Sequence, residues 1–181
     1  QAVDDATSQV DEILDMFRAL LRIGALEAGM GSDRFKSVDL SEILERVAAA
    51  YLPAMEDQAK PLRLSIEAGI SVSGDADLLA QMFNNLLENA LVHAPAHTLI
   101  TVALRREGNA VIAAISDNGQ GIPAAERVNV LRRFYRLENS RSLPGTGLGL
   151  ALVAAVADLH HAELSIADNN PGLIVSIRFP H

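Results

Sequence analysis

The chain has 181 residues, of which 49% are apolar and 21% charged, and carries a net charge of −8. That length holds one compact domain with a short appendage, not two full domains. The absence of cysteine excludes disulfides and thiolate metal sites, and the acidic balance argues against a nucleic-acid surface; no run approaches the roughly 18 consecutive apolar residues of a membrane-crossing helix, so any membrane segment is expected outside this sequence.

In chain order, Val3, Ala6, Val10, Ile13, Phe17 and Leu20 recur at spacings of three and four, with Leu14 and Leu21 widening the stripe. This predicts one amphipathic helix over about residues 2–28. The opening "QAVDDATSQVDEIL" lacks the basic start and apolar core of a signal peptide and reads as a piece of a longer protein. Gly29–Asp33, within "EAGMGSD", marks a joint, dividing a helical segment, 1–29, from a main domain, 34–181. A broad apolar stripe on a lone helix expects a bundle with another helix and a second copy of the chain; the competing expectation is that it folds back on the main domain.

"SVDLSEILERVAAAYLPAMEDQ" predicts a helix capped by Asp39 or Ser41, kinked or interrupted at Pro53. "LRLSIEA" reads as a strand, and "GDADLLAQMFNNLLENALVHA" as a helix capped near Asp75 and stopped before Pro95. "TLITVALRR" and "NAVIAAISD" form a hairpin around "EGN", residues 120–145 show little regular pattern, and "GTGLGLALVAAVADLH" turns from a glycine loop into a helix. "AELSIAD" and "LIVSIRF" close the chain as a hairpin around "NNPG". The layout predicts an α+β fold, a mixed sheet covered on one face by three helices.

Asn85 and Asn89 lie four apart and project from one helix face, with Leu79, Met82, Phe83, Leu86, Leu87, Ala90 and Leu91 on the core side. Two amides on a helix can simply make surface hydrogen bonds, but an amide oxygen is also a neutral hard ligand for Mg²⁺ that already carries phosphate and water. Asp117, in "DNGQGIP" at a strand end, can accept from an exocyclic amino group such as that of adenine, while Gly119 and Gly121 admit a flat ring; the same letters also describe an ordinary turn. Gly145, Gly147 and Gly149 stand where a loop becomes a helix, so backbone N–H groups and the helix dipole can face a phosphate, or the glycines can serve close packing.

Taken together, "NNLLENA", "DNGQGI", "RRFYR" and "GTGLGLALV", in that order, resemble the N, G1, F and G2 boxes of the catalytic domain of sensor histidine kinases, in the GHKL ATPase superfamily. The resemblance runs from about Ser37 to the C-terminus, and "ILDMFRALLRIGALEAG" is similar to the second helix of that family's dimerisation and phosphotransfer hairpin. It implies a two-layer Bergerat-type sandwich preceded by one long helix. It also implies ATP and Mg²⁺ as cofactors, with Asn85 and Asn89 serving the metal and Asp117 the adenine amino group. Gly119, Gly121 and Ile122 match the G1 box, Phe134 and Arg136 the F box, and Gly145, Thr146, Gly147, Leu148 and Gly149 the G2 box, with residues 122–145 as the mobile lid over the nucleotide.

There are departures. Many relatives carry a basic residue where this chain has Val92, followed here by His93, the histidine expected to touch nucleotide. Compensation is expected from Arg132, Arg133, Arg136 or Arg141. "LHHAEL" replaces a common His-Gly-Gly turn, a change read as structural, and neighbouring His160 and His161 would point about 100° apart on a helix, unsuited to a shared metal. No histidine precedes His93, so the chain is expected to bind ATP and to donate its γ-phosphoryl to a histidine outside this sequence, for onward transfer to a response regulator. Glu88 is a weak candidate for a base. Clamp ATPases of the superfamily carry a glutamate where Asn85 stands, and they are the main alternative, followed by a non-catalytic nucleotide-binding module. The resemblance further implies homodimerisation through the hairpin, no nucleic-acid partner, and a cytoplasmic location, alone or as the cytoplasmic part of an inner-membrane sensor.

Overall fold

The computed structural model describes residues 2–28, 30, 34–140 and 145–180. Its elements are α1 (Ala2–Glu27), β1 (Lys36–Asp39), α2 (Leu40–Asp57), β2 (Leu62–Ile66), β3 (Ser71–Gly74), α3 (Ala76–His93), β4 (Ile100–Glu107), β5 (Ala110–Asp117), α4 (Gly149–Leu159), β6 (Glu163–Asp168) and β7 (Leu173–Pro180). Three single 3₁₀ turns, Ala124–Glu126, Asn129–Leu131 and Glu138–Ser140, lie between β5 and α4.

The main sheet has the order β2-β4-β5-β7-β6, with β2 parallel to β4 and the other pairs antiparallel. Register sets its two faces. Val102, Ile115 and Val175 stand side by side, as do Leu104, Ala113 and Ile177, and all six are buried under α2, α3 and α4. The rows on the other side are mixed: Thr101 and Ser116 with Ile174, Ala103 and Ala114 with Ser176, and Ile112 between Arg105 and Arg178. This is the expected two-layer α+β arrangement. In α3, Leu79, Met82, Phe83 and Leu87 are fully buried, each removing enough apolar surface to contribute about 1.5–3 kcal/mol. Because side chains alternate along a strand, Asp117 shares the helix-covered face with Ile115 and emerges where the sheet ends, opposite Ile100.

The caps follow the sequence closely. Asp39 Oδ1 accepts from Glu42 N at 3.0 Å, and Asp75 Oδ1 accepts from Asp77 N and Leu78 N at 2.9 and 3.1 Å. Ser41, the other cap candidate, is buried instead as a bridge, its Oγ donating to Glu67 O at 2.7 Å and accepting from Ile70 N at 3.0 Å. Pro53 does not interrupt α2. The small β1–β3 ribbon, Val38 beside Val72, carries too little alternation in either four-residue strand to be read from sequence.

At its C-terminal end the first helix follows the competing expectation and folds back on the main domain. Ile23 and Leu26 are buried in the common core, Met16, Ala19 and Leu20 pack beside them, and α1 lies along α4. Glu27 pairs with Arg133. The stripe therefore splits: positions 16, 19, 20, 23 and 26 face inward, whereas Leu14, Phe17 and Leu21 are 44%, 59% and 60% exposed. The joint predicted at Gly29–Asp33 falls mostly outside the described residues. No helix among the described residues is long and apolar enough to cross a membrane.

Candidate functional site

A cleft of about 290 Å³ opens between the C-terminal half of α3, the end of β5 with its following loop, Tyr135–Ser140, and the start of α4. Its floor is apolar, built from Leu86, Ile115, Val130, Leu173 and Val175. Such a floor suits a flat ring, and the polar groups stand around it.

At one end, Asn85 and Asn89 project from successive turns of α3. Asn85 Nδ2 donates back to Gln81 O at 2.9 Å, which turns its Oδ1 toward α4. A Cβ built on Gly149 would stand 3.3 Å from that oxygen and 3.8 Å from both polar atoms of Asn89, so glycine lets the helix start approach both amides. Asn89 Nδ2 is buried with no hydrogen-bond partner among the described residues. A buried amide N–H without an acceptor is costly, and Asn89 as a residue lines the cleft.

At the other end, Asp117 Oδ1 accepts from Gly119 N at 2.8 Å, leaving Oδ2 without a described partner. Asn118 is fixed to the start of β4, its Oδ1 accepting from Leu99 N at 2.7 Å. Between these ends, α4 begins without a side-chain cap: Leu148 supplies none, and Leu152 N is the first to bond back, to Leu148 O at 2.9 Å. The N–H groups of Gly149, Leu150 and Ala151 therefore lack helical acceptors, and the dipole adds partial positive charge. Gly147, at φ +71°, lies so close to the chain opposite that a Cβ would stand 2.9 Å from Phe134 C. Phe134 N donates to Gly147 O at 2.9 Å.

Arg136 lines the cleft, its guanidinium donating to Gly145 O at 2.7 Å and to Ser140 O at 2.5 Å. His93 lies at the exposed rim; partial burial, Arg136 and Lys60 together hold its pKa below the ordinary value. Lys60 is itself buried, with its pKa lowered by that burial, and donates to Gln58 Oε1 at 2.7 Å and to Leu91 O, near the C-terminal end of α3. Tyr135, on the wall, donates its hydroxyl to Glu126 and so ties one 3₁₀ turn to the cleft.

Most predicted site residues meet here: Asn85, Glu88, Asn89, His93, Asp117, Gly121, Ile122, Arg136, Gly145, Thr146, Gly147 and Gly149 all line the cleft. Three do not. Gly119 acts through its N–H to Asp117, Phe134 holds Gly147 by its backbone while its side chain is 52% exposed, and Leu148 is buried in the core. Of the arginines offered for Val92, Arg136 alone among the described residues is on the wall; Arg133 pairs with Glu27, Arg132 is exposed, and Arg141 lies outside the described residues. Val92 itself lines the cleft. His160 and His161 do not share a helix face, because α4 ends at Leu159 with His160 as its cap, and His161 sits at φ +53°. His160 is buried and stacks on Phe35 at 4.5 Å, a structural role as expected. No cluster of three or more His, Cys, Asp or Glu able to hold a metal occurs among the described residues. The apolar floor was not identified as part of the site from sequence, although Ile115, two residues before Asp117, signals it.

Residues 74–181 match the model of the histidine kinase-, DNA gyrase B-, and HSP90-like ATPase family. The chain belongs to this family. Among its relatives, the probable sensor histidine kinase TcrY of Mycobacterium tuberculosis is 34% identical over 99% of this chain and 38% of its own length. The signal transduction histidine-protein kinase/phosphatase MprB of Mycobacterium leprae is 33% identical over 93% of this chain and 32% of its own length. The chain thus spans a third to two-fifths of these curated relatives. The solved structure of a mycobacterial sensor histidine kinase MprB superposes with a TM-score of 0.70 at 30% identity, covering 81% of this chain and 97% of that one. The Acinetobacter baumannii histidine kinase AdeS shares the fold at a TM-score of 0.77 and 19% identity, covering 98% of this chain and 83% of that one. Membership of this ATPase family makes ATP the nucleotide of the domain.

Proposed function

We propose that this chain is the ATP-binding catalytic part of a two-component sensor histidine kinase, which donates the γ-phosphoryl of ATP to a histidine on another segment for transfer to a response regulator. The observation that carries the reading is the convergence in one cleft of Asp117 Oδ2, the two α3 carboxamides and the uncapped start of α4. Asp117 accepts from the adenine amino group above the apolar floor. Gly145, Gly147 and Gly149 bring backbone N–H groups against the phosphates, and Arg136 adds charge where Val92 supplies none. The carboxamide oxygens of Asn85 and Asn89 fit Mg²⁺ as hard neutral ligands, while the orphaned Asn89 Nδ2, a donor, suits an acceptor such as a phosphate oxygen. Bound Mg²⁺ supplies charge neutralisation to the phosphate oxygens; the chain's own part is to hold and orient them.

Asn85 cannot deprotonate water, and Glu88, exposed at the cleft mouth, is one residue off the Asn85–Asn89 face. Hydrolysis by this chain is therefore slow, unlike that of a clamp ATPase. We assign residues 1–29 to the second helix of a dimerisation and phosphotransfer hairpin and residues 34–181 to the ATP-binding domain, in the cytoplasm. The exposed row Leu14, Phe17 and Leu21 supports helical partners there, in a homodimer of the full-length protein.

Titration with a fluorescent ATP analogue tests the reading. Mg²⁺-dependent binding is expected, with Asp117→Asn raising Kd about 10- to 100-fold, the range of a lost charge-assisted hydrogen bond. Binding unchanged by that substitution rejects the assignment of Asp117, and rapid steady-state hydrolysis rejects the kinase in favour of the clamp.

A further inference from the structure

The turn between β6 and β7, Asp168–Gly172, presses against the backbone of the very residue that reads the base. Pairing of β5 with β7 runs out at Ser116 opposite Ile174. One step further on, Asn169 Nδ2 donates to Asp117 O at 2.8 Å, a side chain standing in where the ladder has stopped. The turn is itself closed by Asn169 N donating to Gly172 O at 3.1 Å. Gly172, at φ +107°, is packed so tightly that a Cβ would lie 1.9 Å from Asp117 O and 2.8 Å from Asn118 Cα, and a Cβ on Gly121 would lie 2.8 Å from Gly172 O. Arg127, with only 19% of its side chain exposed, ties the far side, donating Nε to Ile122 O at 3.1 Å and pairing with Asp168 Oδ1 at 2.5 Å.

From these contacts we infer that the Asp168–Gly172 turn is a positioning element for base recognition: it fixes the backbone of Asp117 and of the loop to Ile122, so that the carboxylate meets a purine 6-amino group. The inference rests on Asp117 as the adenine acceptor and adds Asn169, Gly172 and Arg127 as residues that act through it. A hydrogen bond weakens steeply with misalignment, so a small displacement of the Asp117 backbone reduces selectivity for the amino group more than it reduces binding of the phosphates. Asn169 is exposed, so its substitution perturbs this contact without opening the core.

The test is competitive titration of the 181-residue chain with Mg²⁺-ATP and with Mg²⁺-purine riboside triphosphate, which differs only in carrying hydrogen for the 6-amino group. Wild type is expected to prefer ATP. Asn169→Ala should raise Kd for ATP about five- to tenfold, the range of one net hydrogen bond, and leave the analogue unchanged, with the thermal midpoint held. Asn169→Asp, nearly isosteric but unable to donate, should narrow the preference in the same way and secures the result if the alanine variant folds poorly. Equal weakening of both nucleotides, or of neither, overturns the positioning role while leaving Asp117 as the acceptor. A wild type that binds both equally removes the adenine assignment and this inference with it.

Discussion

His160 fastens the two helices that frame the cleft, and its removal has a calculable consequence. The ring is 4% exposed; Nε2 accepts from Asp75 N at 3.2 Å, the backbone of the α3 cap, and Nδ1 meets Val156 O at 2.8 Å in α4. Substitution His160→Leu keeps an apolar side chain of similar size but strips both polar links. Val156 O loses little, since it also accepts from His160 N at 3.1 Å. Asp75 N–H, in a residue 7% exposed, is left without a partner, which costs about 1–3 kcal/mol, and loss of the stack on Phe35 adds about 0.5–1.5 kcal/mol. A loss of about 2–4 kcal/mol and a fall of roughly 5–15 °C in Tm are expected for a chain of this length. Burial holds the His160 pKa below its ordinary value, because the fold keeps the ring neutral. As pH falls below about 6.5 the unfolded chain takes up a proton that the folded ring refuses, so wild type loses stability by at most about 1.4 kcal/mol per pH unit from this group, and the variant does not. The contribution is fully present above the unfolded value and lost toward the folded one. The chain has no tryptophan, so urea denaturation followed by far-UV circular dichroism between pH 5 and 8 is the suitable assay. A wild-type-minus-variant difference below about 0.5 kcal/mol at pH 7.5, or one independent of pH, refutes the reasoning.

Two further substitutions probe the phosphate end of the cleft. Val92→Lys places an ammonium on a wall that lacks one and is expected to tighten ATP binding about five- to tenfold at low ionic strength, with the gain shrinking as salt is added; no change at low salt would show that Arg136 already satisfies the phosphates. Asn89→Ala is expected to abolish the difference between ATP affinities measured with Mg²⁺ and with EDTA, and a surviving difference would place the metal elsewhere.

The helices were legible because their faces repeat. In α3, Leu79, Met82, Phe83, Leu86 and Leu87 predicted the buried side, and Asp75 the cap, from local spacing alone. Asn85, Asn89 and Asp117 stood out only through the order of the motifs that contain them, since Asn85 and Asp117 also make local bonds, with Gln81 O and Gly119 N, that any fold could use. The apolar floor was not, because Ile115, Leu173 and Val175 look like any core residues until strand pairing brings β5 beside β7. The β1–β3 ribbon escaped for the same reason, its two strands being short and far apart in the chain.

The sequence by itself determined the periodic faces, the caps and turns, and which residue types were present to hold a nucleotide, since each of these depends on neighbours within a few positions. Only the tertiary structure decided that the end of α1 buries Ile23 and Leu26 against α4, that Arg136 rather than Arg132 or Arg133 reaches the cleft, and that the β6–β7 turn backs Asp117. Those outcomes depend on contacts between segments distant in the chain, where packing geometry selects among partners that local pattern leaves equivalent.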